Sequence, residues 1–426
     1  MQLYFNIAAL SLLIIAIVAL LTSGYSGVLL NTFSFNGFSL FFALIFTAGL
    51  LLINLISFSF SENYQDFALV SLFSLLGMYV VASSVSLITI FLGLELSTMP
   101  MVFAILFSRK GTEAAAKLLI MSAIAIAVLS FSIVLLFSST NSLGLKSYSQ
   151  GGILAFAAIL FIASIGFEAS IFPFNVLIPD VYTGAQAYVT GMLGGVNKKV
   201  GFAALMQVLI LVFISNRELF MLVAALSVLT MFYGNIVALM QKNTKRMLAY
   251  SSISQAGYIL IGIAVATSSG AAASMFQIFA HMFIFIGMLA IVAILERRNR
   301  NGIDDLIGLN GENRYLAFAM TLFMLSLIGL PLTTGFVGKF LIFLSAVNAG
   351  FVWLAIIGIL NSVISILYYA RAIMAMYTLK EGARSIHVEP QLMIAIFICI
   401  GITLAFGIYP APLLSFTGNA AAYLFH

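Results

Sequence analysis

Six ionisable side chains stand inside strongly apolar stretches of this sequence, and their chemistry has to be explained first. They are Glu95, Glu168, Lys198, Lys199, Lys339 and His281. If these stretches cross a membrane, each such residue costs roughly 2.5–3.5 kcal/mol to insert, and residues kept at that cost usually mark an ion or proton path. We therefore expect most of them to serve transport.

Lysines and carboxylates in apolar surroundings suit stepwise proton transfer. Burial disfavours the ammonium form of lysine and a nearby carboxylate favours it, so moving a partner charge can switch the site. A row of such sites with water between them can pass a proton in steps. The alternative is that these groups join helices by hydrogen bonds, and for His281 a helix contact and a relay role are both open.

The elements that must position these residues are membrane-spanning helices. Of the 426 residues, 63% are apolar and only 7% are charged, against roughly 25% charged in soluble proteins. This composition excludes a soluble enzyme, a nucleic-acid-binding protein and a disordered chain. About thirteen stretches are long and apolar enough to span a bilayer: 2–22, 38–60, 66–85, 86–108, 113–138, 151–175, 186–214, 219–241, 246–268, 272–295, 315–346, 350–378 and 391–416.

Some of these predicted spans have the length or the proline content of bent or broken helices. Spans 186–214 and 315–346 are longer than one crossing needs. Pro173, Pro179 and Pro331 fall inside or beside spans, where proline interrupts the backbone hydrogen bonds. We predict an all-α polytopic membrane protein whose 426 residues form a single membrane domain.

Basic residues outside the apolar core of the spans predict the orientation of the chain. Lys146 and Arg217 fall on one side, and thirteen basic residues fall on the other: Arg109, Lys110, Lys117, Lys242, Lys245, Arg246, Arg297, Arg298, Arg300, Arg314, Arg371, Lys380 and Arg384. Because Lys and Arg are concentrated on the cytoplasmic side, we expect a multi-pass protein of the cell (plasma) membrane with a cytoplasmic N-terminus and an external C-terminus. Most of these cations, including Lys245 and Arg246, are interpreted as orientation signals.

Cofactor chemistry has no support in the sequence. A single cysteine, Cys399, and the lack of metal-type Cys/His spacing predict neither an internal disulfide nor a metal site. No glycine-rich nucleotide motif follows a strand, and no nucleophile–base set is evident. We therefore expect no cofactor and no metal in this chain.

Four segments that contain polar residues form recognisable sequence motifs: FLGLELSTMP (91–100), FPFNVLIPDVYTGAQAYVTGMLGGVNKKVG (172–201), NIVALMQKNTKRMLAYSSISQAGY (235–258) and LSLIGLPLTTGFVGKF (325–340). Together they closely resemble the antiporter-like membrane subunits of complex I, a family that includes the Mrp-like proton antiporter subunits. The resemblance covers roughly residues 65–380. Within that family, PDVYTGA (179–185) looks most like the N type of NADH-quinone oxidoreductase subunit.

The resemblance implies a fold of two inverted five-helix repeats, each holding a proline-broken helix. On this numbering the parts are N-terminal helices in 1–65, a first repeat in 66–214, a second repeat in 219–378 and a C-terminal helix in 391–416. Pro173 and Pro331 occupy matching places in the two halves, as a repeat of broken helices requires.

The resemblance also implies a function. It is that of a proton-translocating membrane subunit of a complex I-like NADH (or other donor):quinone oxidoreductase, which moves protons along a midplane chain of Glu and Lys. Glu95 matches the family's essential helix glutamate, Lys198 its central lysine, and Lys339 the lysine of the second broken helix. The redox chemistry and the quinone lie elsewhere in the complex. The implied partners are other membrane-arm subunits and the lipid bilayer, with no nucleic acid.

One position departs from the family pattern. Five residues before Pro173 the family normally has lysine, and this sequence has Glu168. Glu95 and Glu168 would then be two carboxylates in one site, where like charges oppose each other. Since Lys199 is an extra lysine beside Lys198, we hypothesise that Glu168 pairs with one of the two. Adjacent helix residues point about 100° apart, so the two lysines can face different partners.

Two other functions remain open at this point. One is a self-contained or hydrogenase-associated cation/proton antiporter, which shares the fold and the lysines. The other is a structural subunit of the membrane arm that does not pump, an alternative that Glu168 motivates. The electron donor, which could be NADH, a reduced deazaflavin or a ferredoxin, does not follow from these residues.

Overall fold

The computed structural model describes residues 12, 14–16, 19, 27–29, 32–60, 64–108, 111–146, 151–380 and 385–425. The predicted first span, residues 2–22, lies almost entirely outside the described residues. So do three of the predicted cytoplasmic cations, Arg109, Lys110 and Arg384.

Helices make up most of the described chain. The first half contains α1 (Gly37–Ser57), α2 (Tyr64–Ala82), α3 (Leu87–Leu106), α4 (Gly111–Thr140), α5 (Gly152–Glu168), α6 (Ile178–Gly184), α7 (Ala187–Gly191), a π-helical segment (Met192–Asn197) and α8 (Lys198–Phe213). The second half contains α9 (Arg217–Leu239), α10 (Thr244–Ala264), α11 (Ser268–Glu296), a 3₁₀ turn (Asp304–Leu306), α12 (Leu309–Glu312), α13 (Arg314–Ile328), α14 (Thr334–Asn348), α15 (Val352–Tyr377), α16 (Pro390–Ile408) and α17 (Ala411–Ala422).

The predicted spans from residue 38 onward coincide with these helices or with pairs of them. Within the described ranges, 10 helices are long and apolar enough to cross a membrane, and α5, α13 and α14 are shorter apolar helices. The protein is therefore a multi-pass membrane protein. Two predicted spans ran too long, since 151–175 ends as a helix at Glu168 and 391–416 is interrupted before α17. Span 315–346 is broken into α13 and α14, as its length and Pro331 predicted.

A short β-hairpin departs from the all-α prediction. Strands β1 (Gly27–Leu29) and β2 (Phe33–Phe35) pair in antiparallel register, with Gly27 opposite Phe35. Phe33 also forms a bridge with Ser84, in the tight connection between α2 and α3. The strands are too short to give an alternating apolar pattern, so the sequence did not reveal them.

Helices α10 and α11 form the centre of the described bundle. The apolar window of each is completely buried, whereas most of α4 is not. A helix that is apolar all round and buried all round belongs to the interior of a large bundle. The outer helix α4 instead exposes a set of large apolar side chains suited to lipid: Ile120, Ile124, Phe131 and Val134.

Two helices are broken at the places that the prolines indicated. Helix α5 ends at Glu168, and Pro173 lies in the turn that leads to α6. Helix α13 ends at Ile328, followed by Gly329 in the left-handed conformation (φ 110°), which glycine adopts without a Cβ penalty. Pro331 follows before α14 begins. Each break leaves helix-end carbonyls inside the bundle for other groups to bind.

Candidate functional site

Lys339 is held at the break of the second half by the carbonyls of the preceding half-helix. Its Nζ donates to Leu327 O at 2.5 Å, to Ile328 O at 3.3 Å and to Ser362 Oγ at 2.9 Å. The same nitrogen lies 4.5 Å from the centre of the Tyr258 ring. The C-terminal end of a helix carries partial negative charge, and an aromatic face also attracts a cation. This site can therefore hold an ammonium group without a carboxylate.

Lys198 and Lys199 follow a π-helical segment, a feature that often marks functional sites, and they face different helices. Lys198 Nζ donates to Ser252 O at 3.2 Å and to Ser252 Oγ at 3.3 Å on α10. Lys199 Nζ lies 2.7 Å from His281 Nδ1 on α11. The expectation that the two lysines have different partners is confirmed.

The contact between Lys199 and His281 joins two groups that can each bind a proton. Both side chains are buried, at 1% and 0% exposure. An ammonium can donate to the imidazole nitrogen, or a protonated imidazole can donate to the amine. The His281 ring also stacks on Phe285, with ring centres 5.4 Å apart. Both interpretations of His281 therefore have a physical basis, since it contacts a neighbouring helix and it touches a lysine.

The predicted ion pair between Glu168 and Lys198 or Lys199 is wrong. Glu168 Oε1 accepts a hydrogen bond from Thr98 Oγ1 at 3.0 Å. Within the ranges that the structure describes, Glu168 forms no ion pair. Glu95 lies one helical turn before Thr98 on α3, so the two carboxylates flank the same face. The amino groups of the two lysines instead contact Ser252 on α10 and His281 on α11.

Both carboxylates differ from the lysines in their burial. Glu95 and Glu168 are partly exposed, although each stands well inside an apolar segment. Around Glu95, helix α3 exposes Leu92, Leu96 and Phe103. Ionisable residues within spans almost always face protein or water instead of lipid. This face of α3 is therefore one that another protein surface is suited to cover.

Lys245 is not the exposed orientation signal that the sequence suggested. It lies in the first turn of α10, is 3% exposed, and forms an ion pair with Glu296 at the end of α11. Its Nζ also donates to Ala185 O at 2.7 Å, and Glu296 Oε2 accepts from Ala187 N at 2.8 Å. The pair therefore ties α10 and α11 to the turn between α6 and α7. Both residues line a cavity of about 640 Å³.

A second charged cluster surrounds Asp180, which belongs to the PDVY motif (179–182). Its carboxylate accepts from Arg246 Nη1 at 2.6 Å and from Lys117 Nζ at 3.0 Å. Partial burial raises the pKa of Asp180, but these two cations outweigh it and hold that pKa below its ordinary value. Asp180 thus joins α6 to the starts of α4 and α10.

The described residues offer no metal cage: no group of three His, Cys, Asp or Glu residues among them is placed to hold an ion. Cys399 is a buried free thiol. The absence of a cofactor from this chain stays a prediction.

Taken together, the geometry gives two buried basic sites, one at Lys198, Lys199 and His281 and one at Lys339. A family model described as "NADH:quinone oxidoreductase/Mrp antiporter, TM" matches residues 84–365, about two thirds of the chain. The chain belongs to this family. All six predicted site residues fall inside the part of the chain that matches the NADH:quinone oxidoreductase/Mrp antiporter family.

Relatives and solved structures agree with this assignment to the NADH:quinone oxidoreductase/Mrp antiporter family. The "NADH-quinone oxidoreductase subunit N" of Moorella thermoacetica is 34% identical over 420 residues, covering 94% of this chain and 88% of the relative. The "F(420)H(2) dehydrogenase subunit N" of Methanosarcina mazei is 31% identical, covering 92% and 85%. A chain of respiratory complex I from Thermus thermophilus, solved with bound aureothin, superposes with a TM-score of 0.87 at 28% identity, covering 97% of this chain and 94% of that one.

Sequence reasoning missed several polar residues of this site. Gln255, Gln277 and Ser362 stand in apolar helices and contact the predicted site or each other. They carry no charge, so a search restricted to ionisable residues passed over them. A search for any hydrogen-bonding side chain at the centre of a span would have found them, because such groups need partners inside the bundle.

Proposed function

We propose that this chain is an N-type, proton-translocating membrane subunit of a complex I-like NADH (or other donor):quinone oxidoreductase. Its protons move along a row of side chains in the middle of the membrane: Glu95, Glu168, Lys198, Lys199, His281 and Lys339. Oxidation of the donor and reduction of the quinone take place in other subunits. The names of relatives include both NADH and F(420)H(2) enzymes, so the donor varies among the complexes that such subunits serve.

One observation carries this proposal: three buried lysines have no carboxylate partner among the described residues. Lys198, Lys199 and Lys339 are at most 3% exposed, and their ammonium groups touch carbonyls, hydroxyls and an imidazole. A buried charge without a counter-ion costs several kcal/mol, in effective terms, and lowers stability. Sites that can lose the proton as well as hold it explain why such residues are kept.

The proposal includes the architecture that the resemblance implies. Residues 66–214 form the first inverted repeat and residues 219–378 the second, with about thirteen spans in all. The matching breaks at α5–α6 and α13–α14 support this division. The excess of Lys and Arg on one side supports a cytoplasmic N-terminus and an external C-terminus in a cell membrane.

The proposal also places the chain within a multi-subunit membrane arm. The partly exposed carboxylates Glu95 and Glu168 support this placement, because an ionisable group in contact with lipid is costly. A neighbouring membrane subunit would cover this face and supply the charge that the two carboxylates lack in the isolated chain.

The experiment is proton pumping by the purified native complex in liposomes, with Lys339→Met compared with the exposed Lys146→Met. We expect the number of protons moved per electron to fall in Lys339→Met and to stay unchanged in Lys146→Met. An unchanged ratio in Lys339→Met, with normal assembly, would support a purely structural subunit. Sodium-driven acidification by the single chain in liposomes would support a self-contained antiporter instead.

A further inference from the structure

Two glutamines meet at the centre of the described bundle, between the two buried basic sites. Gln277 Nε2 on α11 donates to Gln255 Oε1 on α10 at 3.0 Å. Both side chains are 0% exposed. Neither residue is ionisable, and neither belongs to the charged row proposed above.

The pair touches both halves of the site. Gln277 lies one helical turn before His281, and residues four apart on a helix are neighbours. On its other side, Gln277 packs directly on α14: a Cβ added to Gly338 would lie 2.1 Å from Gln277 Oε1. Gly338 immediately precedes Lys339, and its lack of a side chain leaves room for the amide in the conformation seen here.

Gln255 reaches the same lysine by a second route. It lies one turn before Tyr258 on α10, and the Tyr258 ring is 4.5 Å from Lys339 Nζ. The two amides therefore stand between His281, which contacts Lys199, and the surroundings of Lys339.

Three buried polar atoms in this region have no hydrogen-bond partner among the residues that the structure describes: His281 Nε2, Gln277 Oε1 and Gln255 Nε2. Buried polar groups are satisfied in the great majority of cases, by protein or by ordered water. A group of such atoms meets the polarity requirement for bridging water, which needs two to four polar partners. The amide pair offers a free donor at one end and a free acceptor at the other.

We propose that the Gln255–Gln277 pair positions the water molecules that carry protons between Lys199–His281 and Lys339. An amide does not titrate in the physiological range, so the pair orients water and exchanges no proton itself. Because this assignment rests on the proposed function, it is tested together with Lys339.

The experiment compares three glutamine variants in the native complex reconstituted into liposomes. Gln277→Met and Gln255→Met keep the length of the side chain and remove its hydrogen-bonding groups. Gln207→Met is the matched control, since Gln207 is also buried in a span and donates to a backbone carbonyl, Ala82 O, at 3.0 Å. Its Oε1 likewise has no hydrogen-bond partner in the described part of the chain.

We expect protons moved per electron to fall about twofold or more in Gln277→Met and Gln255→Met, a change within the range for residues on a coupling network. Gln207→Met should keep the wild-type ratio, and the amount of assembled complex should be the same in all three. The double variant Gln255→Met/Gln277→Met should be no worse than the lower single variant, because the pair acts as one link.

The outcomes separate the two proposals. If Lys339→Met lowers pumping while Gln277→Met behaves like Gln207→Met, the role of the glutamine pair is overturned and the proposed function stands. If Lys339→Met also leaves pumping unchanged, the proposed function fails with it. Additive losses in the double variant would also overturn the single-link assignment, because they would indicate two independent packing defects.

Discussion

Lys339 Nζ donates to Leu327 O, so that a lysine of one half-helix binds the C-terminal carbonyls of the other. The first half of the protein has the opposite arrangement of charge, because Glu168 is itself the last residue of its half-helix, α5. Carbonyls at a helix C-terminus favour a cation and disfavour an anion. The two breaks therefore present different chemistry to a proton.

The carboxylate of Glu168 can be tested by Glu168→Gln. We expect the chain to fold normally, because the glutamine oxygen can still accept the hydrogen bond from Thr98 and no cation among the described residues of this chain is paired with Glu168. We also expect fewer protons per electron, since the amide cannot carry a proton. The measurement is pumping in liposomes beside quinone reduction. Wild-type pumping in Glu168→Gln would remove Glu168 from the proton path.

The contact between Lys199 and His281 can be tested by a double-mutant cycle. His281→Phe fills the same space and leaves the Lys199 ammonium without its imidazole partner, so we expect lower stability by about 1–3 kcal/mol. Adding Lys199→Met should restore part of that loss, because no unpaired ammonium then remains. The free energy of unfolding in detergent micelles measures both. Additive losses would show that the two groups do not interact.

The buried ion pair of Lys245 with Glu296 should contribute more to the free energy of unfolding than an exposed ion pair does. Glu296→Gln removes the counter-ion of a lysine that is 3% exposed, and we expect a loss of about 1–3 kcal/mol in unfolding free energy. Glu113→Gln is the control, since the Glu113 side chain is 78% exposed beside Lys117 and should change stability by less than about 0.5 kcal/mol. Equal effects in the two variants would contradict a structural role for the buried pair.

Asp180 predicts a pH dependence. Its pKa is lower in the folded protein than its ordinary value, so its stabilising effect is present above the unfolded-state pKa and is lost as pH falls through the folded-state value. The ordinary pKa of aspartate is about 3.9. Wild-type should therefore unfold at a higher temperature than Asp180→Asn from about pH 8 to pH 5, and the gap should shrink below about pH 4. A gap that widens in acid would contradict the assignment.

The sequence by itself determined the class of protein and the positions of its spans. In lipid, every backbone group must be satisfied within the segment, so apolar runs about 20 residues long have to be helices. The same constraint made the helix breaks predictable, because Pro173 and Pro331 have no backbone N–H to donate to a helical hydrogen bond. The candidate site residues could be identified for a related reason. Only 7% of the residues are charged, so an ionisable residue inside an apolar segment is rare and easy to recognise.

The tertiary structure alone decided which groups meet. Lys199 and His281 are 82 residues apart, and Gln255 and Gln277 are 22 apart on different helices. No local pattern specifies such contacts, because they depend on how helices are rotated and packed against one another. The same packing directed Lys198 and Lys199 away from Glu168 and buried Lys245. The sequence therefore identified the ionisable residues inside the spans, and the packing of the helices determined which residues they contact.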